Sequence, residues 1–571
     1  MSTRDRTRRA LTAAFLLALA VRIATAWLSG AAQPNEIRYI TIARGILSGD
    51  GFTGLDKRFP DIIQPPLHPL MLAAALLLPG PDLAIARAIS ILMGSLLVFP
   101  AALLARRLFG EKTARRAPFL IAVYPLLAHT SSAVLTESTF TLLVMTGILT
   151  LWRWLDGTDA ARRPQGVLGA GLLFGASFLT RPEGLAFLAV AAVVLALDLR
   201  SRGASWRVLL RASGILTAGF FITILPYLFW IHGKTGRWLP APKATLSWVH
   251  QGLALEGRRQ GWEEPPGSAV FFERVKFGLN RDATGIRSHE LFAAATDSPV
   301  AGILGSEDGD ANPASIADPL AAAKLVAGNL AKLYLETSRN GYVIPPLLIV
   351  LGCVGLIGTP WTGSFRRPAW IATAFFAGSF SSMFTLVVPR YLFSSVVLAT
   401  PWFAEGWRRA ELWLRDSIAG RRIGVTRVWR RRLARAGTGL FVMGMTGIYL
   451  VPAVRITRGL WADHRTLGVW LGRTAGREHS VMSATPVVSY YAGTRFEVLP
   501  YANLEETLRY ARHTGAEYLV ADAHEIVTHR PHLEILLDPA TRHEGLELVK
   551  TVREGSPGAI YLYRIEREGE P

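Results

Sequence analysis

Two arginines and several carboxylates stand where apolar runs of this sequence end: Glu36 in PNEIRY, Glu137 in LTES, Arg181 and Glu183 in LTRPEG, and Arg390 with Tyr391 in VVPRYLF. Ionisable groups at such boundaries cost free energy to desolvate, so each asks for a chemical reason. An arginine offers a planar fork of donors to phosphate oxygens and stays charged at any ordinary pH. A carboxylate can take the proton of an acceptor hydroxyl, or ligate a divalent cation that neutralises a phosphate or diphosphate leaving group. Together these groups suit group transfer from a phosphorylated lipid whose head rests at the membrane interface.

Each residue also has a plainer reading. Glu36 could begin a surface helix, Glu36–Leu47, where a negative charge suits the N-terminal dipole. Glu137 could be an exposed turn residue, while Arg181 could pair with Glu183 or snorkel to the interface, as could Arg390. Gln64, His68 and Lys243 suit a solvated loop, with the first two kept as candidates for substrate contact. His232 and His250 lack any metal-ligand spacing, as do the seven histidines scattered near the C-terminus. Any divalent cation is therefore unassigned to ligands.

The elements that must position these groups are membrane helices. The chain has 571 residues, half of them hydrophobic and 18% charged, with the apolar excess in long blocks. About 20 apolar residues cross a bilayer, and about eleven stretches qualify, near 10–28, 86–108, 117–134, 138–155, 166–180, 184–199, 209–231, 342–360, 369–388, 391–407 and 436–454. The shorter run Leu67–Leu78, flanked by Pro65, Pro66, Pro69 and Pro79, suits a re-entrant or interfacial helix. A soluble enzyme and a disordered chain are excluded. The one cysteine, Cys353, excludes an internal disulfide framework and reads as a packing residue in an apolar run.

Basic residues orient the spans, because short cytoplasmic loops retain Lys and Arg. An inside N-terminus gathers Arg4–Arg9, Arg106–Arg116, Arg200–Arg211 and the arginines of 408–435 on one side. The net charge of +19 follows from this topology and not from nucleic-acid binding, since basic and acidic residues nearly balance after residue 454. TRDRTRRA and Ala24-Thr25-Ala26 imitate a cleavable signal, but Arg22 inside the run and the many later spans favour an uncleaved anchor.

The expected organisation is a transmembrane domain over 1–454 with outer loops 29–85 and 232–341, then an outer α/β domain over 455–571. Within 232–341, Ala317–Leu335 could form an amphipathic surface helix. In the C-terminal part, SVMSA, RFEVLP, EYLVAD, LELVKTV and AIYLYRI read as strands, and Asn503 to Glu506 opens a helix with a capping box.

In order along the chain, PNEIRYITIARGILSGDGF, QPPLHPLMLA, LTESTFTLL, LTRPEGL and PRYLFSSVVLA resemble the GT-C glycosyltransferases that use polyprenyl-phosphate sugars, the dolichyl-phosphate-mannose protein mannosyltransferase and aminoarabinose transferase group. The likeness covers about residues 10–400. VMSATPVVSYYAGTRFEVLP resembles the small outer domain of bacterial members. It implies a catalytic acidic residue in the first outer loop, carried here to Glu36, with Asn35 in place of the first acid of a pair and Asp56 and Asp61 in reserve. It also implies that Glu137 lies near the substrate or a metal, and that Arg181 and Arg390 hold the lipid phosphate. The expected reaction moves a monosaccharide from a polyprenyl-phosphate carrier to a lipid, protein or polysaccharide acceptor, with inversion, on the periplasmic or extracellular side of the plasma membrane. A transporter or flippase, a glycan ligase and a scaffold are the alternatives.

Overall fold

The computed structural model describes residues 2–55, 61–157, 163–235, 341–357, 363–381, 389–419, 427–500 and 502–566, with a few isolated positions between. Asp56, Lys243, His250 and the helix expected over Ala317–Leu335 lie outside those continuous stretches.

Helices dominate the first 460 residues. They are α1 (Thr3–Ser29), α2 (Pro34–Ser48), α3 (Leu67–Ala75), α4 (Asp82–Leu96), α5 (Val98–Phe109), α6 (Glu111–Ala114), α7 (Ala117–Val123) and α8 (Pro125–Ser131). Next come α9 (Glu137–Leu155), α10 (Pro164–Phe178), α11 (Gly184–Ser201) and α12 (Trp206–Thr235). After residue 340 follow α13 (Pro346–Ile357), α14 (Arg366–Gly378), α15 (Phe393–Ala419), α16 (Arg427–Gly447) and α17 (Leu450–Leu460). Two compact units result: Met1–Ser29 with Pro65–Phe229 and Lys324–Ile456, and Gly30–Gln64 with Trp230–Ala323 and Thr457–Pro571.

Six helices among the described residues are long and apolar enough to cross a membrane: Arg4–Ser29, Asp82–Phe109, Glu137–Leu155, Gly184–Ser201, Trp206–Lys234 and Arg435–Ile456. Six of the eleven expected stretches fall on these. Of the others, 166–180, 342–360 and 369–388 fall on the shorter α10, α13 and α14, and 391–407 on α15, which runs on into a charged segment. The run at Leu67–Leu78 forms only the nine-residue α3. Cys353 faces outward from α13 and does not pack in a core.

The stretch 117–134 is two helices, because Pro125 has no N–H to return to the carbonyl of Ile121. Tyr124 takes an extended conformation at the break (φ −63°, ψ 123°), and Pro125 restarts the helix at its first turn. The carbonyls so released are met by Arg22, fully buried in α1. Its Nη2 donates to Ile121 O at 3.1 Å and its Nη1 to Ala122 O at 3.3 Å. A charge that would be costly in lipid thus satisfies backbone that proline leaves open.

Ion pairs also tie the basic loops together. Arg367 reaches Asp198 and Asp156, each at 2.6 Å, and Arg107 shares Asp156. Glu405 accepts from Thr113 (2.7 Å), Arg408 (2.6 Å) and Arg409 (2.8 Å), while Glu411 pairs with Arg116.

The second unit contains α18 (Ala462–Thr474), β1 (Ser480–Ser483), α19 (Val487–Ala492), β2 (Arg495–Val498), α20 (Leu504–Thr514), β3 (Tyr518–Asp522), α21 (Ala523–His529), β4 (Leu546–Val552) and β5 (Ile560–Ile565). All five expected strands are present, in the order β2-β1-β3-β5-β4. Strands β2, β1 and β3 run parallel, as their intervening helices require, whereas β5 is antiparallel to β3 and β4. Apolar side chains of β3 and β5 alternate between two buried clusters, Leu519, Tyr561 and Tyr563 on one face and Val520, Ile560 and Leu562 on the other. Asn503 caps α20, its Oδ1 accepting from Glu506 N at 2.9 Å, as the sequence suggests.

Asp522 ends β3 and closes two contacts. Its Oδ1 accepts from His524 N (2.8 Å) and Glu525 N (3.2 Å), and its Oδ2 lies 2.7 Å from His464 Nε2. Burial by itself raises the Asp522 pKa, but the hydrogen bond and charge of His464 and the two amides bring it below its ordinary 3.8. A lowered carboxyl pKa stabilises the fold above the unfolded value, and that stability is lost as pH falls through the folded one. Amide exchange in β3 should therefore accelerate below about pH 4. In Asp522→Asn, which keeps the cap, that acid-side step should be smaller.

Candidate functional site

Glu137 is the first residue of α9, and Arg181 lies in the turn joining α10 to α11. That turn is tight: Arg181 N donates to Ser177 O at 2.9 Å and Gly184 N to Arg181 O at 3.0 Å. A side chain at Gly184 would strike the backbone of Phe178, so the glycine of LTRPEG lets α11 start close against α10. Arg390 and Tyr391 lie in a 3₁₀ turn, Pro389–Leu392, that leads into α15.

These three turns meet in the first unit. Arg181 Nη1 donates to Glu137 Oε1 and Nη2 to Glu183 Oε1, each at 2.7 Å. The guanidinium lies 4.5 Å from the Tyr391 ring centroid and is itself buried. Arg390 Nε is 3.5 Å from the same Glu137 oxygen, with its side chain 31% exposed. Phe140, Phe187, Phe393, Ser379, Ser381 and Ser394 complete the lining of a cavity of about 10 Å³, room for one water. Two carboxylates and two guanidinium groups balance in charge. Arg181 spends both terminal nitrogens on carboxylates, while Arg390, which pairs with Glu137, is the more exposed of the two guanidinium groups.

His68, fully buried in α3, lies within electrostatic reach of Glu137 and so belongs with this group. Tyr342, whose hydroxyl is 2.8 Å from His129 Nδ1, feels both Glu137 and Arg390. The sequence reading passed over His129 and Tyr342. A lone histidine within an apolar run, and a tyrosine at the start of one, were the signals available. Hydroxyls floor the cavity: Ser379 pairs with Ser395 and Ser394 with Thr141, each at 2.7 Å.

Beside the cavity, an apolar space of about 380 Å³ opens among Ile344, Leu356, Phe376, Phe380, Leu392 and Trp402. The two share the segments around Ser379–Ser381 and Leu392–Ser395.

The remaining candidates lie in the second unit. Glu36 is in the first turn of α2, fully buried, and its Oε2 accepts from Gln33 N at 2.8 Å. A helix does start here, at Pro34, but Glu36 is buried in its first turn and does not open a surface helix. Asp61 pairs with Arg38 at 2.7 Å and accepts from Ile63 N and Gln64 N, each at 3.1 Å. Gln64 Oε1 accepts from Tyr39 Oη at 3.1 Å. Asp61 and Gln64 therefore shape the segment between α2 and α3. His232 stacks on Trp238, with ring centroids 4.3 Å apart. Among the described residues no group of three or more His, Cys, Asp or Glu is placed to hold a metal ion.

Comparison with known proteins agrees with this architecture. Residues 63–230 match the family model of dolichyl-phosphate-mannose-protein mannosyltransferase. Over 205 residues, 35% of the chain, the sequence is 29% identical to the undecaprenyl phosphate-α-4-amino-4-deoxy-L-arabinose arabinosyl transferase of Pseudomonas aeruginosa. That alignment spans 36% of the relative's length. The fold is similar to ArnT from Cupriavidus metallidurans, solved bound to undecaprenyl phosphate, with a TM-score of 0.55, 14% identity and 97% of each chain covered. It is also similar to the oligosaccharyltransferase AglB from Archaeoglobus fulgidus, solved with an inhibitory peptide and a dolichol-phosphate, with a TM-score of 0.55, 14% identity, and 91% of this chain and 70% of that one covered. The resemblance read from the sequence, to GT-C glycosyltransferases that use polyprenyl-phosphate sugars, is thus shown by a family match, a curated relative and a shared fold.

Proposed function

We propose that this multi-pass membrane protein transfers a monosaccharide from a polyprenyl-phosphate carrier to an acceptor on the outer side of the membrane. The observation that carries the reading is the juxtaposition of Glu137, Arg181, Glu183 and Arg390 with the adjoining apolar space. A phosphate head with an isoprenoid tail needs a cation near an apolar wall, and Arg390 lies two residues before Leu392 of that wall. Arg181 lies between two carboxylates and donates to both, which fixes them in place. The relatives are glycosyltransferases, and two of the solved structures hold a polyprenyl phosphate.

In the proposed mechanism the acceptor attacks the anomeric carbon opposite the phosphate, inverting the sugar's configuration. The outer-loop carboxylate Glu36 takes the acceptor's proton or orients the acceptor, and Arg390 receives the phosphate charge as it develops. Phosphate leaves readily, so positioning supplies much of the acceleration. The N-terminus is assigned to the cytoplasm and 455–571 to the periplasmic or extracellular side.

The test is sugar discharge from a panel of polyprenyl-phosphate monosaccharides by the purified protein in lipid nanodiscs, with an acceptor extract. Discharge of one donor supports the reading; discharge of none by folded protein rejects it. Arg390→Ala should raise the half-saturating donor concentration by about tenfold or more, with Arg390→Lys recovering only part because it lacks the fork. Unchanged donor dependence in Arg390→Ala would remove phosphate binding from this residue.

A further inference from the structure

The loop that carries Glu36 is packed in the same unit as the C-terminal α/β fold. The contact is made by Tyr491 on α19, whose Oη accepts the backbone N–H of Ala32 at 2.7 Å. Ala31 and Ala32 are buried, so this amide has no water to fall back on. The next amide, Gln33 N–H, is the one that donates to Glu36 Oε2. Two successive backbone donors are therefore fixed, one by the C-terminal fold and one by the carboxylate itself.

Tyr491 is in turn held from behind. The α18 helix meets α19 through Gly468 and Gly472: a Cβ at Gly468 would come within 2.5 Å of Val488 O and 2.9 Å of Tyr491 Cβ, and one at Gly472 within 2.6 Å of Ala492 O. Glycine at both positions, one turn apart, lets the two helix backbones touch. Arg465, one turn earlier on α18, places its guanidinium 5.6 Å from the Tyr491 ring centroid. Sheet, α18 and α19 form one block, and the Tyr491 hydroxyl ties it to the loop.

We infer that Tyr491 is a positioning residue for transfer: the C-terminal α/β fold holds the Ala32–Glu36 turn, and through it the carboxylate, in register. The inference rests on Glu36 acting in transfer, and its test separates the two. In nanodiscs, Tyr491→Phe keeps the ring and loses only the acceptor oxygen. Turnover should fall roughly tenfold, as expected for a loosened reactive group, while the half-saturating donor concentration stays as in the parent and the melting temperature falls only by the few degrees that one lost hydrogen bond costs. Amide exchange at Ala32 should accelerate, and in a Glu36→Gln background Tyr491→Phe should cause no further loss. Gly468→Ala, which pushes α19 away, should reproduce the turnover defect. Parental turnover in Tyr491→Phe, with Glu36→Gln inactive, would overturn the positioning role and leave the function intact. Parental turnover in Glu36→Gln would overturn the role of the carboxylate and the positioning inference with it, and faster exchange at Ala32 would then report only a structural tie.

Discussion

Glu36→Gln is expected to leave the fold standing and to lower sugar transfer by about two to four orders of magnitude. The separation follows from the capping geometry. Glutamine is as good as glutamate at the third position of a capping box, so its amide oxygen can still accept from Gln33 N–H. What it cannot do is take a proton. Glu36→Ala, by contrast, should lose activity and also about 1 kcal/mol of stability with the missing hydrogen bond. Turnover measured beside thermal unfolding distinguishes the two variants. Parental turnover in Glu36→Gln together with an inactive Glu137→Gln would move the carboxylate's role to Glu137, which already stands between Arg181 and Arg390.

Arg181→Ala should be the most damaging change in the cavity, through folding before chemistry. Its side chain is 7% exposed and joins Glu137, 5% exposed, to Glu183. Removing one partner of a buried pair leaves the other charge uncompensated, at a cost of about 3–5 kcal/mol. The expected result is poor recovery of folded protein and no detectable transfer. The triple replacement Arg181→Met, Glu137→Gln and Glu183→Gln removes the charges together and should recover most of the stability, while remaining inactive. A triple variant as unstable as Arg181→Ala would show that packing against Tyr391 and Phe140, and not charge, is what Arg181 supplies.

Much of the fold was legible because its signals are local. The strand at EYLVAD, the Asn503 cap and the helix beginning beside Glu36 each depend on a few adjacent residues, and each stands where the pattern puts it. The stretch 117–134 misled because hydropathy sees only an apolar block, although Pro125 already marked the break. At 391–407 the opposite happened: α15 continues to Ala419 through a charged segment whose Glu405 pairs with Arg408 and Arg409 and whose Glu411 pairs with Arg116 before α7. The residues Glu137, Arg181, Glu183, Arg390 and Tyr391 were legible as a set, since each ends an apolar run on the same expected side. Their division of labour was not. That Arg181 is spent on two carboxylates while Arg390 stays partly exposed is a matter of angles between turns separated by some two hundred residues. His129 and Tyr342 meet across a similar separation and carry no motif at all.

The broken helix also sets an order of events during synthesis. Arg22 enters the bilayer on α1, yet the carbonyls that receive it belong to Ile121 and Ala122, about a hundred residues later. At about 5–20 residues per second, α1 waits on the order of ten seconds for them. Throughout that interval a guanidinium on an isolated helix costs about 2.5–3.5 kcal/mol at mid-bilayer. The partners of that guanidinium are thus made only once the α7–α8 pair follows, and the proline that breaks one helix supplies the backbone acceptors for a charge carried by another.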